Sequence, residues 1–93
     1  MIYFYKSNCP YCIKQKPIIE KLKSLGANIV PVQIDHGNGA PLHDGSVAAT
    51  SHDFDVFKIS QTPTFFVAGK DRVQKWEGFL TLQDFVGLAM KVL

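Results

Sequence analysis

The chain has 93 residues, 46% of them hydrophobic, and a formal net charge of +2. A chain of that length buries about two-thirds of the surface its unfolded form exposes, enough for one core, so residues 1–93 are read as a single domain. The mixed, nearly balanced charge argues against disorder and against a nucleic-acid partner, and no apolar run approaches the ~20 residues of a membrane span.

Residues 2–6, "IYFYK", are aromatic and β-branched, the composition of a buried strand. This opening stretch is too short for a signal peptide and lacks a small-residue cleavage site. The expected location is therefore cytoplasmic, or periplasmic if the chain is a fragment of an exported protein. A loop with both cysteines, Cys9 and Cys12, follows. From Pro10 to Leu25 the apolar positions Ile18, Leu22 and Leu25 recur at helical spacing. Lys14, Lys16, Lys21 and Lys23 occupy the solvent side with Glu20 among them, and Gly26 is placed to end the helix in a left-handed conformation. Residues 28–34, "NIVPVQI", predict a second strand. With a helix and no hairpin signal between them, the two strands form a βαβ unit and run parallel.

Residues 35–46, "DHGNGAPLHDGS", are a loop rich in glycine and proline, long for a domain of this size and thus a candidate functional segment or a tolerated surface excursion. A helix is expected between about Val47 and Ile59. The strands 64–68 and 73–77, joined by Gly69-Lys70-Asp71-Arg72, form an antiparallel hairpin. Thr81-Leu82-Gln83-Asp84 matches a capping box, and Leu82, Phe85, Val86, Ala89 and Leu93 form an apolar helical stripe behind it. The order is βαβ, α, ββα.

The stretch "SNCPYCIKQKP" carries the chemistry. Cys9 falls between strand and helix, where free backbone amides and the helix dipole favour a thiolate. Cys12, one turn on, shares its face and can close a small disulfide ring with it, and Pro10 fits the first helical turn. A zinc site would need four ligands drawn from these cysteines and His36, His43 and His52, whose spacings match no common zinc module, so no metal is expected. Inert buried thiols do not suit a strand-to-helix loop, and a structural disulfide does not suit a reducing compartment. A CxxC beside a βαβ pattern points instead to redox exchange.

Strand, Cys9-Pro10-Tyr11-Cys12, helix, and a later Thr62-Pro63 before a strand together resemble the thioredoxin superfamily over essentially the whole chain. The resemblance implies an α/β, thioredoxin-like fold with a central four-stranded mixed sheet flanked by helices, and a cis peptide before Pro63. It also implies that the Thr62 backbone lies beside Cys9 and pairs with an extended substrate. Cys-Pro-Tyr-Cys is similar to the active site of dithiol glutaredoxins, which implies Cys9 and Cys12 as the catalytic redox pair and glutathione as co-substrate. Lys6, Tyr11 and Thr62 match that family's glutathione contacts, whereas Glu77-Gly78-Phe79 holds one glycine where glutaredoxins have two. Pro17 and Gly78 are similar to thioredoxin positions, Gly78 at a close approach of substrate, while thioredoxin's buried acid falls at Tyr3. "FYKSNCPYC" and "TPTFFV" also resemble thioredoxin-like conjugative pilus assembly proteins, which are exported. The expected function is a monomeric thiol–disulfide oxidoreductase acting on disulfide-containing proteins and glutathione mixed disulfides. A thioredoxin-like protein disulfide reductase or isomerase is the alternative. Of another class is a non-catalytic binding module that presents Phe79, Tyr11 and the Thr62-Pro63 edge; Trp76 reads as core.

Overall fold

The computed structural model describes residues 1–92. Its elements in chain order are β1 (Ile2–Tyr5), α1 (Pro10–Ser24), β2 (Val30–Gln33), β3 (Val47–Ala48), α2 (Ser51–Phe57), β4 (Thr64–Ala68), β5 (Val73–Glu77) and α3 (Leu82–Val92). The strands form one mixed sheet in the order β3-β2-β1-β4-β5. β1 pairs parallel with β2, Tyr3 opposite Pro31, and antiparallel with β4, Tyr3 opposite Phe65. β4 and β5 form the expected hairpin, Phe65 opposite Trp76. This is a thioredoxin-like fold with its βαβ and ββα halves in the predicted order.

β1 is the centre of the sheet and is buried on both faces, which explains its unbroken apolar run. On one face Tyr3 stacks on Phe65, centroids 4.8 Å apart, and joins Tyr5, Cys12, Ile19, Leu22, Ile29, Val67, Leu80 and Leu88 in the main core. On the other, Phe4 meets Phe57 of α2 and Phe66 of β4. Alternation along a strand thus assigns α1 and α3 to one layer and α2 to the other.

Three expectations change. The sheet has a fifth strand, because Val47 and Ala48 extend along β2 opposite Val32 and Gln33 instead of starting a helix. Thr50 and Asp53 form a reciprocal capping box that starts α2 only at Ser51, and Lys58, in a left-handed conformation, ends it before Ile59. In α1 the buried residues are Cys12, Gln15, Ile19 and Leu22, while Leu25 is largely exposed as the C-cap. Gly26 turns the chain there with φ 94°, as the sequence predicts. In α3 the capping box is present, Thr81 Oγ1 accepting from the Asp84 amide and an Asp84 carboxylate oxygen from the Thr81 amide. Its buried side chain, however, is Leu88, with Phe85 packed beside it; Leu82 and Val86 are exposed along the edge facing Leu25, and Leu93 lies outside the described residues.

Gln15 is the polar exception inside the core. Its side-chain amide donates to the Leu80 carbonyl at 2.7 Å and its oxygen accepts from the Leu80 amide at 2.8 Å. The pair ties the middle of α1 to the segment that leads from β5 into α3, satisfying a buried backbone unit that belongs to no ladder. Gln15→Leu keeps the volume but strands both Leu80 groups, and should cost about 2 kcal/mol or more in urea denaturation. A change below about 0.5 kcal/mol, the range of ordinary surface substitutions, would show that the amide pair does not secure this segment.

Candidate active site

The site lies where the C-terminal end of β1 gives way to α1. Cys9 is the N-cap of that helix: its backbone is extended, its carbonyl accepts from Ile13 N–H at 3.0 Å, and its sulfur accepts from Cys12 N–H at 3.3 Å. A sulfur in this place fills the role that serine or aspartate commonly fills, satisfying one of the free amides at the helix start. Pro10 follows at the first helical position, as expected, and Pro17 sits further along within the same helix. Both cysteines are free thiols, Cys9 partly exposed and Cys12 fully buried.

The second component arrives from β4 and β5. The Thr62-Pro63 peptide is cis, and the Thr62 carbonyl accepts from the Cys9 thiol at 3.6 Å. The Pro63 carbonyl accepts from Gly78 N–H at 2.8 Å, so Gly78, at φ 100°, is next to the same loop. Cys9, Cys12, Thr62, Pro63 and Gly78 are therefore brought together. Lys6 stands apart from Gly78, lining with Thr62, Ser60, Gln61, Phe54 and Ile59 a small cleft of about 110 Å³ on the α2 side. Tyr11 projects from the first turn of α1 and is more than half exposed, with the Lys14 ammonium 5.6 Å from its ring centre. Trp76 packs partly against the core and its indole N–H donates to the Phe79 carbonyl at 3.2 Å.

The two thiols are electrostatically unlike. Burial by itself pushes the Cys9 thiol up, but hydrogen bonds from the Cys12 and Thr62 side chains and from the Cys12 and Tyr11 amides outweigh it and hold Cys9 below its ordinary value. Cys12 is pushed up to about 12, first by its burial and then by its hydrogen bond to Cys9, with the Lys6 backbone and Thr62 partly opposing. One sulfur is thus accessible and disposed to ionise, and the other is buried and held protonated.

Several polar residues that the sequence pattern did not single out hold this arrangement. Asp35, just past β2, accepts from the Ser7 amide at 3.0 Å and the Ser7 hydroxyl at 2.6 Å. Gln33 donates to Asp35 at 3.1 Å and to the Gly39 carbonyl at 3.0 Å. The loop 35–46 is thereby fastened to the segment two residues before Cys9. Its far end is fastened too: the Tyr5 hydroxyl meets Ser46 Oγ at 2.6 Å and accepts from Leu42 N–H at 3.2 Å. Between these anchors His43 is buried, edge-on to both Tyr3 and Tyr5, and bonded through Nδ1 to Glu20 of α1 at 2.9 Å. Of the other histidines considered as ligands, His36 and His52 are exposed, and among the described residues no three His, Cys, Asp or Glu side chains group as metal ligands.

These features define a thioredoxin-like protein with a Cys-Pro-Tyr-Cys pair at the head of its first helix. The chain belongs to the family described as TraF, F plasmid transfer operon protein, whose family model matches residues 1–85. No curated protein matches the chain. Among the described residues no helix is long and apolar enough to cross a membrane.

Two measurements probe the site. Iodoacetamide should alkylate Cys9 at pH values below those at which a free cysteine reacts, because its thiolate is favoured, and should leave Cys12 unlabelled at neutral pH; equal labelling of the two would contradict the asymmetry. A Cβ on Gly39 would collide with the Ser7 side chain. Gly39→Ala should therefore destabilise the protein by about 1–3 kcal/mol, read as a lower urea midpoint, and should blunt the selective labelling of Cys9 by displacing Ser7.

Proposed function

We propose that the chain is a thiol–disulfide oxidoreductase that works on disulfide-bonded proteins. The observation that carries this reading is the pairing of a partly exposed Cys9, held below its ordinary pKa at the start of α1, with a buried, protonated Cys12 whose amide bonds its sulfur. In the reducing direction the Cys9 thiolate attacks one sulfur of a substrate disulfide, the S–S bond breaks, and the other substrate sulfur leaves as a thiolate. Cys12 then attacks Cys9, forming the Cys9–Cys12 disulfide and releasing the second substrate sulfur, so the two electrons gained by substrate come from the two thiols. The reverse sequence delivers a disulfide to a dithiol substrate.

Thr62, Pro63 and Gly78 form the place where an extended substrate segment lies against the Cys9 sulfur, the Thr62 backbone pairing with it as an added strand. Gly78 leaves that approach open, since no atom lies within 4 Å of where a Cβ would stand. Tyr11 adds an exposed aromatic face in the first turn of α1. The proposed working form is a monomer without a tightly bound cofactor, with no role for nucleic acid. Membership in a plasmid-transfer family supports an exported, periplasmic setting over the cytoplasmic one expected from sequence.

One observation favours glutathione as an alternative co-substrate: Lys6 and Thr62 share a cleft beside Cys9, placing a cation and a backbone edge where a small peptide carboxylate would bind. The deciding experiment compares insulin reduction with glutathione-coupled reduction of a small mixed disulfide, in wild type and in Cys12→Ser. Insulin turnover that falls by at least about a hundredfold in Cys12→Ser, the scale of a lost reacting group, is the expected result. Glutathione-coupled activity that survives Cys12→Ser would assign glutathione as the working partner instead. Inactivity of wild type in both assays, with biological function preserved when both cysteines are serine, would leave only the binding-module reading.

A further inference from the structure

Residues 38–44 lie in no helix or strand, yet they are fastened over the core. Leu42 packs against it, and His43, only 3% exposed, stands edge-on to Tyr3 and Tyr5 with ring centres 5.5 and 5.4 Å away. Side-chain bonds complete the fastening. The Tyr5 hydroxyl accepts from Leu42 N–H at 3.2 Å and meets Ser46 Oγ at 2.6 Å, and Ser46 Oγ donates to the His43 carbonyl at 2.8 Å. Gly37, at φ 93°, and Gly45, at φ 76°, bracket the segment in left-handed positions where an added Cβ would meet nothing within 4 Å. Glycine crosses between backbone regions without steric cost, so both ends of the segment are free to pivot. A segment held by side chains and not by a ladder opens at lower cost than the sheet beneath it.

The fastening includes one group whose charge changes in weak acid. His43 Nδ1 bonds Glu20 Oε1 at 2.9 Å, while Nε2 is buried with no hydrogen bond to any described residue. That bond, first, and the charges of Lys23 and Lys16 hold the Glu20 carboxyl below its ordinary value, so Glu20 is an ionised acceptor and the ring proton sits on Nδ1. A second proton can go only to Nε2, which places a charged donor in the core without a hydrogen-bonded acceptor. Burial, first, disfavours that proton; the Glu20 bond and charge oppose, Lys23 and Lys16 add to burial, and the balance holds His43 below its ordinary value. The titratable and charged groups that face the ring are Tyr3 and Tyr5 from β1 and Glu20, Lys16 and Lys23 from α1.

We infer that residues 38–44 are a pH-sensitive strap, closed over Tyr3 and Tyr5 while His43 is neutral and released into solvent about Gly37 and Gly45 when Nε2 takes up a proton. In the open form the ring is solvated and accepts a proton at the ordinary value of 6.5; in the closed form it does so only at lower pH. Between those two values the open form holds one proton more, and its population rises about tenfold for each unit of falling pH. Above 6.5 both forms are neutral and the strap is closed. Gly39 belongs to the strap and lies against the Ser7 side chain, two residues before Cys9, with its carbonyl bonded to Gln33. Release withdraws that wall from the cysteine loop. The bearing of this on catalysis rests on the exchange reaction proposed above, whereas the strap itself does not.

Hydrogen exchange of the Leu42 amide, expressed as a protection factor so that the intrinsic pH dependence of exchange cancels, tests the strap without reference to the cysteines. In wild type the protection should be level above pH 6.5 and fall about tenfold per unit below it. Amides of the β1–β4 ladder should stay better protected than Leu42 throughout. His43→Gln keeps a donor for Glu20 but gains no charge, and its profile should be level across the range. Glu20→Gln, at a half-exposed position, keeps an acceptor for Nδ1 but removes the charge that favours the imidazolium in the closed form. Its fall should begin at the same pH as in wild type and continue to lower pH, and it decides the matter where His43→Gln does not fold. A level wild-type profile, or a fall that persists unchanged in both variants, would overturn the strap. Equal protection of Leu42 and the ladder at every pH would overturn it too, since loop and sheet would then open together. None of these results touches the exchange reaction, which insulin reduction tests separately.

Discussion

The Cys9 sulfur is the hydrogen-bond acceptor that opens α1, and the rest of the site is arranged around that substitution of sulfur for oxygen. A helix start leaves amides without partners, and here the cap that satisfies one of them is the sulfur of a partly exposed cysteine. The same bond that orders the first turn favours the charged form of the thiol. Cys12, one turn into the helix, falls behind Cys9 by helical geometry and inside the core by burial, so its own proton is held tightly. The asymmetry between the two sulfurs follows from one helix end meeting one strand end.

What keeps that helix end in place is spread over three parts of the chain. β1 is covered on both faces, which sets the exit point of the loop before Cys9. Gln15 bonds α1 to Leu80, beyond β5, fastening the helix to the segment that follows the Gly78 corner. Asp35 bonds Ser7 from the other side, linking the loop 35–46 to the cysteine loop. None of these is a large energy by itself, since a hydrogen bond contributes about 1 kcal/mol net. Each satisfies buried backbone or side-chain groups at a junction where no ladder can, and that is why they occur next to the site.

The loop 35–46 illustrates how a segment without regular structure acquires a defined role. Its composition describes a surface excursion, yet His43 is as buried as the strand residues it touches, and Tyr5 and Ser46 close its far end. It ends in β3, which pairs with β2 and extends the sheet by one short edge strand. The loop therefore forms part of the wall of the main core through Leu42 and His43, while most of its other residues face solvent.

The elements that determine the fold class were legible in the sequence because they rest on local patterns. The buried composition of residues 2–6, the Gly69–Arg72 turn between 64–68 and 73–77, and the Thr81–Asp84 capping box each specify their element without long-range contacts, and CPYC at a strand–helix junction specifies the pair of sulfurs. Helix faces were less legible: periodicity alone favoured Leu25, Leu82 and Val86, but packing buries Gln15, Ile19 and Leu88. Val47 and Ala48 could become a strand only because Val32 and Gln33 stood beside them. The polar framework of Ser7, Gln33, Asp35, His43 and Glu20 joins residues 23 and 28 positions apart, as in His43 with Glu20 and Ser7 with Asp35. The sequence by itself determined that both sulfurs stand at one strand–helix junction and the order of the elements, since residue type and spacing of a few positions suffice for both. Only the tertiary structure decided which polar groups enter the core and what holds the loop against it, because burial and hydrogen bonding between distant segments exist only once the chain has closed around its core.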